Sequence, residues 1–183
     1  VDFAGAFHFR TSLAYFAERQ AAQLVAELES ALEFMEERQQ GEIRVRVRDS
    51  GDGHALLQVT MADQPFILDT VQEALRVLEV SVLGYLHPIV QVDRDQEHRI
   101  AAVRPRTVTG PHESFLHFKI GALEEDAARK LEEEILVSLT DAKWAVADFA
   151  KMKAWVEGIA QRLSKYPARD ETEWKSMQEA MRF

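Results

Sequence analysis

Between Ile43 and Leu78 the hydrophobic period changes from two to about three and a half, and this switch restricts the fold more than any other feature. Ile43, Val45 and Val47 alternate with Arg44, Arg46 and Arg48, the pattern of a half-buried strand with one basic face. Leu57, Val59 and Met61 alternate with Leu56, Gln58 and Thr60. The turn-rich Asp49-Ser-Gly-Asp-Gly53 between the two runs predicts a hairpin. Asp63-Gln-Pro-Phe66 then interrupts the strand. Asp63 suits a helix start, where its carboxylate accepts backbone N–H bonds, and Pro65 suits the first helical turn, where its missing N–H is not needed. Ile67, Val71, Ala74, Leu75 and Leu78 follow at helical spacing, predicting a helix over 65–79.

The flanks extend this pattern. Leu13, Ala17, Ala21, Leu24, Leu28, Leu32 and Met35 form one helical stripe, with Thr11 or Ser12 as cap and Gly41 as stop, predicting a helix over 12–38. Residues 80–92 are rich in β-branched and aromatic side chains, and Pro88 marks an edge or a bulge. A polar tip at Asp93–His98, a short strand over 99–103 and a loop over 104–111 lead to an alternating strand at Ser114–Ile120. From Glu124 the helical period persists for about 40 residues, a rod of roughly 60 Å at ~1.5 Å per residue. Its seam runs Leu131, Ile135, Ser138, Ala142, Ala145, Phe149, Met152, Val156, Ile159, Leu163. Thr140-Asp141 could cap a fresh helix within it, Pro167 ends it, and 168–183 read as a weak terminal helix or tail. The order predicts an α+β layer: an antiparallel sheet with helices on one face, plus long flanking helices. Three parts are expected: a helical segment at 1–41, an α+β domain at 42–140 and a helical extension at 141–183.

Composition removes several kinds of function. A net charge of −9 is a poor start for binding nucleic acid, which requires a basic face. The absence of cysteine removes disulfides, thiolate metal sites and cysteine nucleophiles. No apolar run reaches the ~20 residues of a membrane span. With no basic-then-apolar leader, the expected location is cytoplasmic. The first residue is Val1 rather than methionine, which suggests a piece of a longer polypeptide.

Chemistry-bearing motifs are few. Neither glycine-rich phosphate signature is present, nor is GxSxG. His112-Glu-Ser-Phe-Leu-His117 imitates a zinc motif with one residue too many. On a strand, positions i and i+5 face opposite ways, so no metal site is expected there. His87 reads as a hydrogen-bonded strand residue, and Asp93 and Asp95 as solvated turn carboxylates. The arginine row reads as salt-bridged to the acidic helices, and Trp144, Phe149 and Trp155 as core or interface anchors. No catalytic residue is expected.

The segment Asp63–Val71 resembles the D-x-P-F-[LI]-[VL]-D-[ST]-V turn in the amino-terminal ACT-like region of the large bacterial NAD-specific glutamate dehydrogenases. The resemblance continues in order. Leu86-His-Pro-Ile-Val90 is similar to the family's HP-containing strand, and Glu113-Ser114 with Leu116-His117 to its E-S-x-x-H strand. Asp141–Val146, Asp148 and Met152 are similar to the pattern of its next helix. Together these cover 42–155. The resemblance implies a ferredoxin-like βαββαβ variant and a non-catalytic regulatory or assembly role. The parent chain would deaminate glutamate to 2-oxoglutarate, with NAD bound elsewhere and no cofactor in this segment. It implies partners in downstream domains and other subunits of a homo-oligomer, with no nucleic acid or membrane. Asp63, Gln64, Pro65, Phe66 and Asp69 are the implied contacts for an amino-acid effector. Phe66 departs from the glycine usual at this turn in amino-acid-binding ACT domains, and is expected to be a core plug. Two alternatives remain: a free-standing ACT-type amino-acid sensor, and an interaction scaffold built on the 124–165 helix.

Overall fold

The computed structural model describes residues 3–8, 20–97, 99–107, 109–163, 175–176 and 179. Caps Thr11 and Ser12, stripe residues Leu13 and Ala17, Pro167 as terminator and nearly all of the 168–183 tail lie outside these residues. Helices α1 (Phe3–Phe7) and α2 (Ala21–Glu36) precede strands β1 (Arg44–Asp49) and β2 (His54–Ala62). Helix α3 (Ile67–Val77) follows, then β3 (Val82–Leu86), β4 (Ile89–Arg94), β5 (Ile100–Pro105), β6 (His112–Gly121) and α4 (Glu125–Leu163). The chain divides into two compact units, Val1–Ala142 and Lys143–Phe183.

Among the described residues, six strands form one antiparallel sheet in the order β1-β2-β6-β4-β5, with β3 also paired to β6. β3 and β4 are two halves of the predicted 80–92 strand. They lie end to end along β6, opposite Ile120–His117 and Ser114–His112 respectively. Pro88 marks the break, and its carbonyl accepts a 3.0 Å bond from the Phe115 amide. In the β1–β2 turn, Gly51 and Gly53 hold φ of 77° and 80°, the left-handed region that glycine enters without strain.

The alternation of β6 sorts its side chains to two cores. Leu116, Phe118 and Ile120 join Leu57, Val59 and Met61 of β2 beneath Ile67, Val71 and Leu75 of α3 and Leu131, Ile135 and Leu139 of α4. This is the expected layer of helices on a sheet face. Phe115 turns the other way, meeting Val90, Val92 and Val103 under Phe7 of α1 and Ala31, Phe34 and Met35 of α2. The amino-terminal flanking helices thus cover the second face. The buried positions of α2 are Ala31, Phe34 and Met35, while Ala21 is exposed and Leu32 half-buried, so its packed stripe is rotated from the predicted one. α4 is unbroken at Thr140-Asp141. Instead of capping a new helix, the Thr140 hydroxyl donates back to the Leu136 carbonyl at 2.7 Å.

One buried charge cluster ties α2 to the sheet. Arg38, just past α2, donates to both Glu113 oxygens at 3.1 and 2.6 Å. Arg94 of β4 does the same at 3.0 Å to each oxygen, and reaches the Met35 carbonyl at 2.7 Å. Burial pushes the Glu113 carboxyl pKa up, but hydrogen bonds from Arg94 and Arg38 outweigh it and hold it below the ordinary carboxylate value. Glu113→Gln would leave two guanidiniums short of a counter-charge and should lower unfolding free energy by about 3–5 kcal/mol in urea titrations. Because the folded pKa is the lower one, the carboxylate's contribution is complete above the unfolded pKa and is lost as pH falls through the folded value. The gap between wild type and variant should therefore close in acid. Equal stability at neutral pH would contradict the clamp.

Candidate functional site

The three motif segments converge where β2 ends. The Asp63 amide donates to the His112 carbonyl at 2.9 Å, which sets the turn against the start of β6. The Ser114 hydroxyl donates to Asp63 Oδ1 at 2.8 Å, and His87 Nε2 lies 3.1 Å from the same hydroxyl. A hydroxyl has one proton to give. Since Ser114 gives it to the carboxylate, the His87 contact requires Nε2–H as donor. Burial lowers the His87 pKa, with Arg106 adding to the effect and Asp63 opposing it. The polarity runs from His87 through Ser114 to Asp63, opposite to a serine nucleophile giving its proton to histidine. This chain of bonds fixes a turn to a strand.

The five predicted turn residues divide between two surroundings. Asp63 faces Ser114 and His87. Phe66 and Asp69 line a groove of about 420 Å³ between α3 and α4, with Thr70, Glu73, Glu134 and Ser138. Gln64 is half-buried, and its amide Nε2 is shielded from solvent with no hydrogen-bond partner among the described residues. Asp63 does not cap the helix. α3 begins at Ile67, with Phe66 in the N-cap position and Pro65 in the turn before it. His87 is hydrogen-bonded, as the sequence suggested, but it lies in the break between β3 and β4 and not on a strand. His112 and His117 lie on β6 with opposite orientations.

Phe66 is not a core plug. It is 64% exposed and its φ is 71°, the left-handed region normally left to glycine. Its benzyl group therefore leaves the turn open on the side where it was expected to fill space. A non-glycine residue in this region is strained by ~1–2 kcal/mol, and glycine adds ~0.5–1 kcal/mol of unfolded-state entropy. Phe66→Gly should therefore leave stability unchanged or raise it by up to about 1 kcal/mol in thermal or urea unfolding. A loss of about 3 kcal/mol or more, as for emptied core sites, would restore the plug.

Comparison with known proteins identifies the family. The model of the family described as glutamate dehydrogenase, ACT1 domain, matches residues 3–135. The NAD-specific glutamate dehydrogenase of Halomonas elongata is 27% identical over 114 residues, covering 60% of this chain and 7% of that protein. The chain thus spans a small fraction of the relative it matches. With a family model covering most of its length, and with the turn, the HP break and the Glu113-Ser114 strand brought together, the chain belongs to the glutamate dehydrogenase ACT1 domain family.

Proposed function

We propose that the chain is a non-catalytic regulatory and assembly domain of an NAD-dependent glutamate dehydrogenase. NAD and glutamate would be handled by other parts of the polypeptide. The observation that carries this reading is the polarity of the Asp63–Ser114–His87 chain. The motif residues that resemble a reaction centre are engaged in holding the β2–α3 turn on β6. Large apolar side chains left uncovered on α4 support a docking role. Trp144 is 64% exposed and Trp155 69%, with Phe149, Met152 and Val156 also exposed. Side chains of this size at solvent mark surfaces that meet another chain or domain. The partners proposed are downstream domains of the parent and other subunits of a homo-oligomer. The proposed setting is cytoplasmic. No described helix is long and apolar enough to cross a membrane.

One observation favours a second reading, amino-acid sensing at the β2–α3 turn. The unpartnered Gln64 amide, beside a turn that Phe66 leaves open, offers a donor to a ligand carboxylate or carbonyl. Asp63, Pro65, Phe66 and Asp69 would surround it. An enzyme assay and sedimentation of the parent protein test the main reading. The 183-residue chain should show no glutamate-dependent reduction of NAD. In the parent polypeptide, Phe149→Asp combined with Trp155→Asp should shift sedimentation to smaller species. Turnover by the chain alone would overturn the non-catalytic role, and unchanged sedimentation would overturn the docking role.

A further inference from the structure

The sequence predicts salt bridges from the basic row on β1 to the acidic helices; among the described residues only Arg44 of that row is ion-paired, to Glu37 at the end of α2 and to Glu42 beyond it. Arg46 donates from Nε and Nη2 to Gln58 Oε1 at 3.2 and 2.8 Å, and its guanidinium lies 4.5 Å over the Phe34 ring. Arg48 donates from Nη2 to the Ser30 hydroxyl at 2.9 Å, and its Nε is buried with no acceptor among the described residues. Among those residues neither Arg46 nor Arg48 has a carboxylate within ion-pair distance. In a chain of net charge −9, two half-buried cations held by neutral partners, with the nearest carboxylates beyond ion-pair distance among the described residues, are unusual.

Both open onto a groove of about 460 Å³ between β1 and α2, lined by Ala26, Glu29, Ser30, Glu33, Arg46 and Arg48. Glu29 and Glu33 are exposed one turn apart on α2, and neither is ion-paired among the described residues. The strand wall thus carries two cations and the helix wall two anions, with a hydroxyl between them. A simple anion entering the groove would be opposed by the helix wall, and a simple cation by the strand wall. A molecule with both charges meets a complement on each side. Burial and the neighbouring Arg48 and Arg44 press the Arg46 pKa below its ordinary value, with Glu37 and Glu33 opposing, so an incoming carboxylate would add to the support that these two glutamates give. The aromatic floor and the Gln58 brace hold the Arg46 guanidinium ready, which reduces the ordering needed on binding.

We propose that this groove binds a small zwitterion, its carboxylate on Arg46 and Arg48 and its ammonium group towards Glu29 and Glu33. The site is separate from the β2–α3 turn and does not depend on the reading given to that turn. The test is amide NMR titration of the chain with glycine, 4-aminobutyrate and 6-aminohexanoate as zwitterions of increasing charge separation, and with acetate and butylamine as single-charge controls. At least one zwitterion should give saturating shifts at Ser30 and Arg48 in the millimolar range, about tenfold tighter than either control. Glu29→Gln with Glu33→Gln changes only exposed side chains, so the spectrum should remain that of the folded protein. That variant should bind the zwitterion about tenfold more weakly and acetate more tightly. Arg48→Gln should weaken both. The proposal is overturned if no zwitterion shifts these amides, if acetate binds as tightly as the best zwitterion, or if the glutamine pair leaves the zwitterion-to-acetate ratio unchanged.

Discussion

Strand β6 is the element on which the rest of the fold depends. Over ten residues it pairs with β2 on one side and with β3 and β4 in succession on the other. Its side chains enter both cores, Phe115 in one and Leu116, Phe118 and Ile120 in the other. A strand buried on both faces cannot shift register by one residue without exchanging the contents of two cores, so its alignment is doubly specified. The polar residues at its start are held as firmly. Glu113 receives two guanidinium forks, and Ser114 joins Asp63 to His87. The β2–α3 turn, the HP break and the end of α2 are thus all fastened to adjacent residues of one strand.

That convergence explains why segments far apart in sequence carry the family's pattern. Asp63, His87 and Ser114 each make a modest local contribution, yet together they set how the β2–α3 turn meets the sheet. Removing the acceptor, the bridging hydroxyl or the imidazole would leave a polar group without its partner in a partly dry setting. The proposed regulatory and assembly role would require this kind of fixed geometry more than reactive groups. The exposed aromatic side chains of α4 fit the same use, since they have contact area to offer and no chemistry.

The fold was legible wherever local period decides structure. The hairpin, the helix after Asp63-Gln-Pro-Phe66 and the long helix all follow from spacing and turn residues, and Pro88, read as an edge or a bulge, marks the point where the 80–92 run divides into two strands. What escaped depends on distance or on backbone angle. The Arg38–Glu113–Arg94 clamp joins residues 75 and 19 positions apart, and no local signal marks it. Phe66 reads as an apolar residue at a helix start, and nothing in its neighbours announces a positive φ that turns the ring outward. The seam of α4 is continuous in sequence, yet Leu131 and Ile135 are buried while Phe149, Met152 and Val156 are exposed. Periodicity reveals which side chains share a face, not what meets them. For the same reason the arginine row was visible, but its division into an ion-paired Arg44 and an Arg46 and Arg48 held by neutral partners among the described residues was not.

Native-state hydrogen exchange across β6 tests its supporting role most directly. If the strand is the shared support of both cores, the amides of Phe115 to Ile120 that bond to β2, β3 or the Pro88 carbonyl should be among the slowest in the chain. They should exchange only with global unfolding, tracking its free energy as denaturant is added. Amides near Phe149 and Trp155, beneath exposed side chains, should open at far lower free energy. Exchange of the β6 amides through local opening, at rates like those of α4 beyond Lys143, would contradict the placement of this strand at the centre of the fold.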